Sequence, residues 1–381
     1  MRVRIFLCGG GLGLMLAAGA CAAGPDFQGI DRARLREIIA GCYNLSDDTP
    51  AQLAQLQREH PGSLVPQFIR VVREYWWQSY AEADHALTTA YERDALVLVE
   101  QTGRAARAHP DDPDAAFLAA ASQLHVGIYN VEKRHWWTAF WKIRAGRNGM
   151  LQLIQDHPDY VDAKMPLGLA DCYLDQTPGY LKPLTLLLQA SGDLNRGVRQ
   201  LEEARDHGLF AAVDAAFYLS GVDFELRHQP EAARAEMAAL AERFPANPFY
   251  QRLLAYYETQ TGRRPRGHQR YADIPDMPKV RVFPALGVRS LMWLCWDSMS
   301  TKDYAGALRA AEQAAAFIAA HPPLRDLEPE TLIGRAEAQK ALGHYEESFA
   351  LFNAIPPDYP QLRQHGQDRI RDIKREIGRK E

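Results

Sequence analysis

A surplus of charge is missing from this chain of 381 residues: 44 Lys and Arg stand against 48 Asp and Glu, a formal net charge of −4. A chain so near neutrality is not built around a nucleic-acid backbone. Cysteine is sparse, and the five present form no C-x-x-C pair, which argues against zinc and thioredoxin-type sites. Cys42, Cys172 and Cys295 read as small buried hydrophobes on helix faces. Glycine and proline do not dominate, so collagen-like and linker-like classes fail. No sustained period-2 alternation occurs, so strands are almost absent from the reading. Also missing are H-E-x-x-H, G-x-S-x-G, G-x-x-x-x-G-K-[ST], and a G-x-G-x-x-G that opens a helix. No catalytic residue, metal or cofactor is therefore expected. Apolar residues at 47% and charged residues at 24% are ordinary for a chain with a buried core.

The N-terminus reads as an address. Arg2 and Arg4 precede an uncharged run from Ile5 to Gly24, apolar at first and small-residue-rich at its end. That order describes a secretory signal peptide, residues 1–22. Ala20-Cys21-Ala22 offers an A-x-A exit. Ala18-Gly19-Ala20-Cys21 resembles a bacterial lipobox, with the signal ending at 20 and Cys21 acylated, although Ala18 stands where such boxes usually carry Leu. Both exits stay open. The expected location is the periplasm, free or anchored as a lipoprotein through Cys21.

A repeat fills the rest. An x-Pro mark recurs at His60-Pro61, His109-Pro110, His157-Pro158, Phe244-Pro245, His321-Pro322 and Tyr359-Pro360, and Gly208 supplies a further stop. Proline just past a helix end stops that helix. The four His before Pro suit helix C-termini, where imidazole meets free carbonyls and the dipole. A small residue precedes most stops by 11 to 15 positions: Gly146, Gly197, Ala233, Ala307 and Ser348. Two helices approach closely only where a side chain is nearly absent. Tyr304, Ala307, Leu308, Ala311, Ala314, Ala315 and Ile318 share one face at helical spacing.

These residues resemble tetratricopeptide (TPR) repeats. Ala338-x-x-Ala341-Leu342-Gly343-x-Tyr345-x-x-Ser348-x-x-x-Phe352 looks like the junction between the two helices of such a repeat, and Leu167-Gly168-x-Ala170-x-x-Tyr173 like the start of a first helix. The resemblance implies an all-α, right-handed superhelical solenoid of antiparallel helix pairs. Its concave groove would be lined by first helices and would bind proteins or peptides. Several units exceed the family's 34 residues, and one helix pair between Ala233 and Ala307 is not recognisable. The expected organisation is N-terminal helices over 25–84, repeats over 85–261, an irregular Arg/Pro-rich loop over 262–284, repeats over 285–360 and a C-terminal helix over 361–381.

Two interruptions and the aromatic clusters supply candidate contacts. In the first interruption, Arg263, Arg264, Arg266 and Arg270 suit either a solvated linker between solenoid halves or contact with an anionic partner. The second, residues 176–188, carries an apolar tip that is expected to pack back on the superhelix. The seven Trp fall in clusters: Trp76-Trp77, Trp136-Trp137 with Trp141, and Trp293 with Trp296. Sequence neighbours on a helix point about 100° apart, so Trp76 and Trp77 cannot both face one core. Lys142 and Arg144 flank Trp141. Core packing and an aromatic-basic platform in the groove both fit these clusters. The functional expectation is a non-enzymatic scaffold of the bacterial cell envelope that holds another envelope protein or peptide in its groove. It would bind no nucleic acid and meet the membrane only through a lipid anchor. The alternative is a small-molecule or glycan-binding accessory module for uptake or assembly.

Overall fold

A computed structural model describes residues 26–81, 85–176 and 192–377. The signal segment, Cys21 and the apolar tip at 177–188 lie outside the described residues. A two-residue hairpin, β1 (Asp26–Phe27) and β2 (Ile30–Asp31), opens the described chain; everything regular after it is helical. Two compact units result. Among the described residues, one comprises 26–79, 86–176 and 192–247, and the other 80–81, 85 and 248–377. In each, consecutive helices pack on one another, an all-α array compatible with a helical solenoid.

The first unit begins with α1 (Arg32–Tyr43), α2 (Thr49–Glu59), α3 (Val65–Ala81) and the long α4 (His85–Ala108). Three helix pairs follow: α5 (Pro113–Glu132) with α6 (Trp136–Asp156), α7 (Lys164–Asp175) with α8 (Leu194–His207), and α9 (Ala212–Glu225) with α10 (Pro230–Arg243). The boundaries have local causes. Asp112 caps α5 by accepting from the Asp114 amide at 2.9 Å, with Pro113 in the first turn, and Asp193 caps α8 through the Arg196 amide. His157 and Phe244 sit at helix C-caps directly before their prolines.

The small residues lie at the close approaches. A Cβ on Gly146 would meet the Ala120 carbonyl oxygen of α5 at 2.7 Å, and one on Gly197 would meet the Gly168 carbonyl oxygen of α7 at 2.5 Å. Ala233, Ala307 and Ser348 are fully buried. The helices can interlock at these points because no side chain holds the backbones apart.

The second unit holds α11 (Pro248–Gln260) with α12 (Arg264–Asp273), α13 (Pro284–Ser300) with α14 (Tyr304–Ala320), α15 (Glu328–Leu342) with α16 (Tyr345–Asn353), and the closing α17 (Pro360–Ile377). Leu291, Met292, Cys295, Ala311, Ala314 and Ile318 form one core, and Leu332, Ile333, Phe352, Ile355 and Ile373 another. Gly343, with φ 88°, ends α15 in the left-handed conformation that glycine adopts freely. His321 reaches the Phe317 carbonyl at 2.8 Å and stacks on its ring, so this imidazole serves the end of α14 as its position suggests.

The stretch 262–284 is not an irregular loop. It contains α12 and two 3-10 turns, and α12 is the unrecognised helix of the missing pair. Gly267 plays the small-residue part here: its added Cβ would lie 2.6 Å from the Ala255 carbonyl oxygen of α11. The division between the two units falls at Asn247 and Pro248 instead.

Candidate functional site

The face of the first helices in unit 1 is occupied by the chain's own N-terminal helices. From α3, Phe68 packs edge-on to Phe117 of α5 at 6.1 Å, Tyr75 meets His125 of α5 at 5.9 Å, and Trp76 meets Phe217 of α9 at 5.4 Å. From α1, the Tyr43 hydroxyl donates to Asp214 of α9 at 2.6 Å. A ligand placed on the first-helix face of unit 1 would need this same surface.

The interior beneath α3 is rich in titratable groups whose states burial sets. Desolvation pushes the Asp214 carboxyl up to about 7, against the lowering effect of its hydrogen bond from Tyr43. Glu132, the exposed last residue of α5, has its carboxyl raised by local desolvation and accepts from the Tyr75 hydroxyl at 2.6 Å. Desolvation drives His125, wedged against Phe68 and Tyr75, down to about 4 and so keeps it neutral. This network joins α1, α3, α5 and α9. Two hydrogen bonds between helices belong to it, Tyr43 to Asp214 and Tyr75 to Glu132, and in a low-dielectric interior such bonds are stronger than in water.

The Trp clusters divide. Trp76 is 8% exposed and belongs to the core, so its expected place at a contact surface is not met. Trp77 is half-buried under the Arg73 guanidinium, 4.4 Å from its ring centre. By contrast Trp136, Trp137 and Trp141 are 64%, 74% and 47% exposed. They lie on α6, the second helix of its pair, and not on a first helix. Trp137 and Trp141 meet edge-on at 5.6 Å, Phe140 joins them, and Arg144 stands 5.6 Å from the Trp141 ring centre. Lys142 is half-exposed beside them. Adjacent residues 132–138 are all exposed, and Arg134 turns the chain with φ 61°, uncommon for a non-glycine residue.

A second aromatic-cationic surface lies in unit 2, on the first helices α11 and α13. Arg252 stands 5.5 Å from the ring centres of both Phe249 and Trp293, and Tyr256 meets Trp293 edge-on at 4.8 Å. Trp296, 39% exposed, lies one turn along α13. Sequence reading found the two Trp and missed their partners. The signal was present: Phe249, Arg252 and Tyr256 recur at i, i+3 and i+7, one face of a helix.

The four arginines of 262–284 have different fates. Arg264 pairs with Asp297 at 2.8 Å, beside His268 at 2.6 Å from the same carboxylate. Arg270 pairs with Glu258 at 3.1 Å and donates to Gln251 at 2.7 Å. Both hold α12 to its neighbours, so they are not loop contacts waiting for an anion. Arg263 donates to the Thr261 carbonyl. Arg266 is exposed at an open cleft of about 460 Å3 that Gln251, Glu258, Arg270 and Asp273 also line. Cys172 and Cys295 are buried free thiols raised to about 12 by desolvation, which leaves them chemically inert.

No family model matches the chain, and no curated protein matches it.

Proposed function

We propose that the protein is an exported, non-enzymatic interaction scaffold of the bacterial cell envelope, a right-handed TPR-like solenoid that binds another envelope protein or a peptide. The observation that carries this reading is the surface on α11 and α13, where Arg252 and Tyr256 meet Trp293 across two first helices and Trp296 is exposed one turn along α13. Aromatic side chains beside arginine supply large contact area at small cost in side-chain entropy, the composition of interface hot spots. Pre-formed helical surface loses little further freedom on binding. In unit 1 the corresponding helices are covered by α1 and α3, which directs the partner to unit 2.

The test is site-specific photo-crosslinking in intact cells. A photoreactive residue replaces Trp296, and a control replaces exposed Glu346 of α16. One envelope protein crosslinked from 296 and not from 346 supports the reading. Identical patterns from both positions refute it. The cleft beside Arg266 favours a second reading, a module for a small polar ligand or glycan, because convergent charged and amide groups line it. A thermal-shift screen of metabolites and glycans tests that reading, with Arg266→Ala expected to abolish any shift.

A further inference from the structure

We infer that the start of α6 is a membrane-docking face, built to lie in the interface of a bilayer rich in anionic phospholipid. Trp136, Trp137 and Trp141 together expose roughly 450 Å2 of aromatic surface, taking about 250 Å2 for a whole Trp. That is about half of what one partner contributes to a standard protein interface. It is ample for an interfacial anchor, because the indole ring prefers the headgroup level of a bilayer, with its apolar body inward and its N–H wet.

Charge points the same way. From Lys133 to Gln155 the chain carries five Lys and Arg and no Asp or Glu, although the whole molecule is net acidic. Arg134, Lys142 and Arg144 form no ion pair with a carboxylate among the described residues; Lys133 acts on the Glu132 carboxylate and rests against the Tyr129 ring, and Arg144 rests against the Trp141 ring. The nearest acid in sequence, Glu132, is engaged by the Tyr75 hydroxyl. Unpaired cations around exposed indoles complement an anionic headgroup layer over an apolar interior. No helix among the described residues is long and apolar enough to cross a membrane; docking of this kind needs none. The inference is independent of the partner surface on α11 and α13.

The experiment uses the full chain carrying Cys21→Ala, so that no acyl chain contributes. The protein is mixed with vesicles of phosphatidylglycerol and phosphatidylcholine whose acyl chains carry bromine, which quenches indoles at the interface. Wild type is expected to show a blue shift and quenching of Trp emission. The Trp136→Ala/Trp137→Ala/Trp141→Ala variant, its far-UV spectrum unchanged, is expected to show neither. Lys142→Glu/Arg144→Glu keeps the indoles and is expected to lower partitioning roughly 30-fold or more at low salt, about fivefold per cation removed. Vesicles of phosphatidylcholine alone are expected to bind weakly. Quenching that is equal in wild type and triple variant would place membrane contact elsewhere in the chain and overturn the inference. So would indoles that stay unquenched at saturating vesicle, leaving this face to a protein partner.

Discussion

Asp214 is the residue at which burial and charge conflict most directly. Its carboxyl lies in the interior beneath α3 and accepts from the Tyr43 hydroxyl, and burial raises it to about 7. In the unfolded chain it titrates near the ordinary carboxylate value of about 3.9. Between those values the native state binds the extra proton, so stability falls as pH rises. The contribution is complete below about pH 4 and is lost as pH passes through 7, at most about 4 kcal/mol. Asp223, also raised to about 7 by burial, adds a slope of the same sign. Asp214→Asn removes the charging step while keeping an acceptor for Tyr43. Urea midpoints measured between pH 5 and 8 should therefore fall more steeply for wild type than for the variant. Parallel curves would show that Asp214 is charged throughout.

At the scale of the element, the fold rests on close approach between paired helices. A methyl on Gly197 would meet the Gly168 carbonyl oxygen at 2.5 Å and the Cys172 backbone nitrogen at 2.9 Å, and backbone cannot step aside as a side-chain tip can. Gly197→Ala is expected to cost about 1–3 kcal/mol through forced separation of α7 and α8. Gly103→Ala in α4 is the control. Its Cβ would meet only the Arg107 guanidinium, at 3.5 Å, so the helix should gain about 0.5–1 kcal/mol. Opposite shifts in urea midpoint check the pair.

The same small residues made the fold legible. Gly146, Gly197, Ala233, Ala307 and Ser348 mark their helices in sequence, and each is buried. Gly267 is the informative miss. It follows Ala233 by 34 residues, but the apolar slot three residues before it holds Arg264, and the arginines and prolines around it imitate a loop. Ion pairs from Arg264 and Arg270 take the place of apolar packing there. The candidate site was less legible. Periodicity says which residues share a face, not what covers that face, so Trp76 and Trp137 looked alike. Only the placement of α3 against α5 and α9 separates the buried indole from the exposed one.

At the scale of the molecule, an array in which helices pack on their sequence neighbours has stability that is local in origin. In quasi-one-dimensional repeat proteins each unit is held by its own core and its nearest interfaces. Phe352 belongs to a core of Leu332, Ile333, Ile355 and Ile373 shared by α15, α16 and α17. Phe352→Ala removes the largest of these side chains and is expected to cost that core about 3–5 kcal/mol. Native-state hydrogen exchange reads where the loss is felt. Amides of α15 to α17 should exchange faster, because their opening no longer disrupts a filled core. Amides of α5 to α8, whose packing rests on Gly146, Gly168 and Gly197, should keep their protection. Equal acceleration in both regions would mean that the chain opens as one cooperative block. A solenoid-like array held by neighbour contacts predicts the graded result, and a single fused core predicts the uniform one.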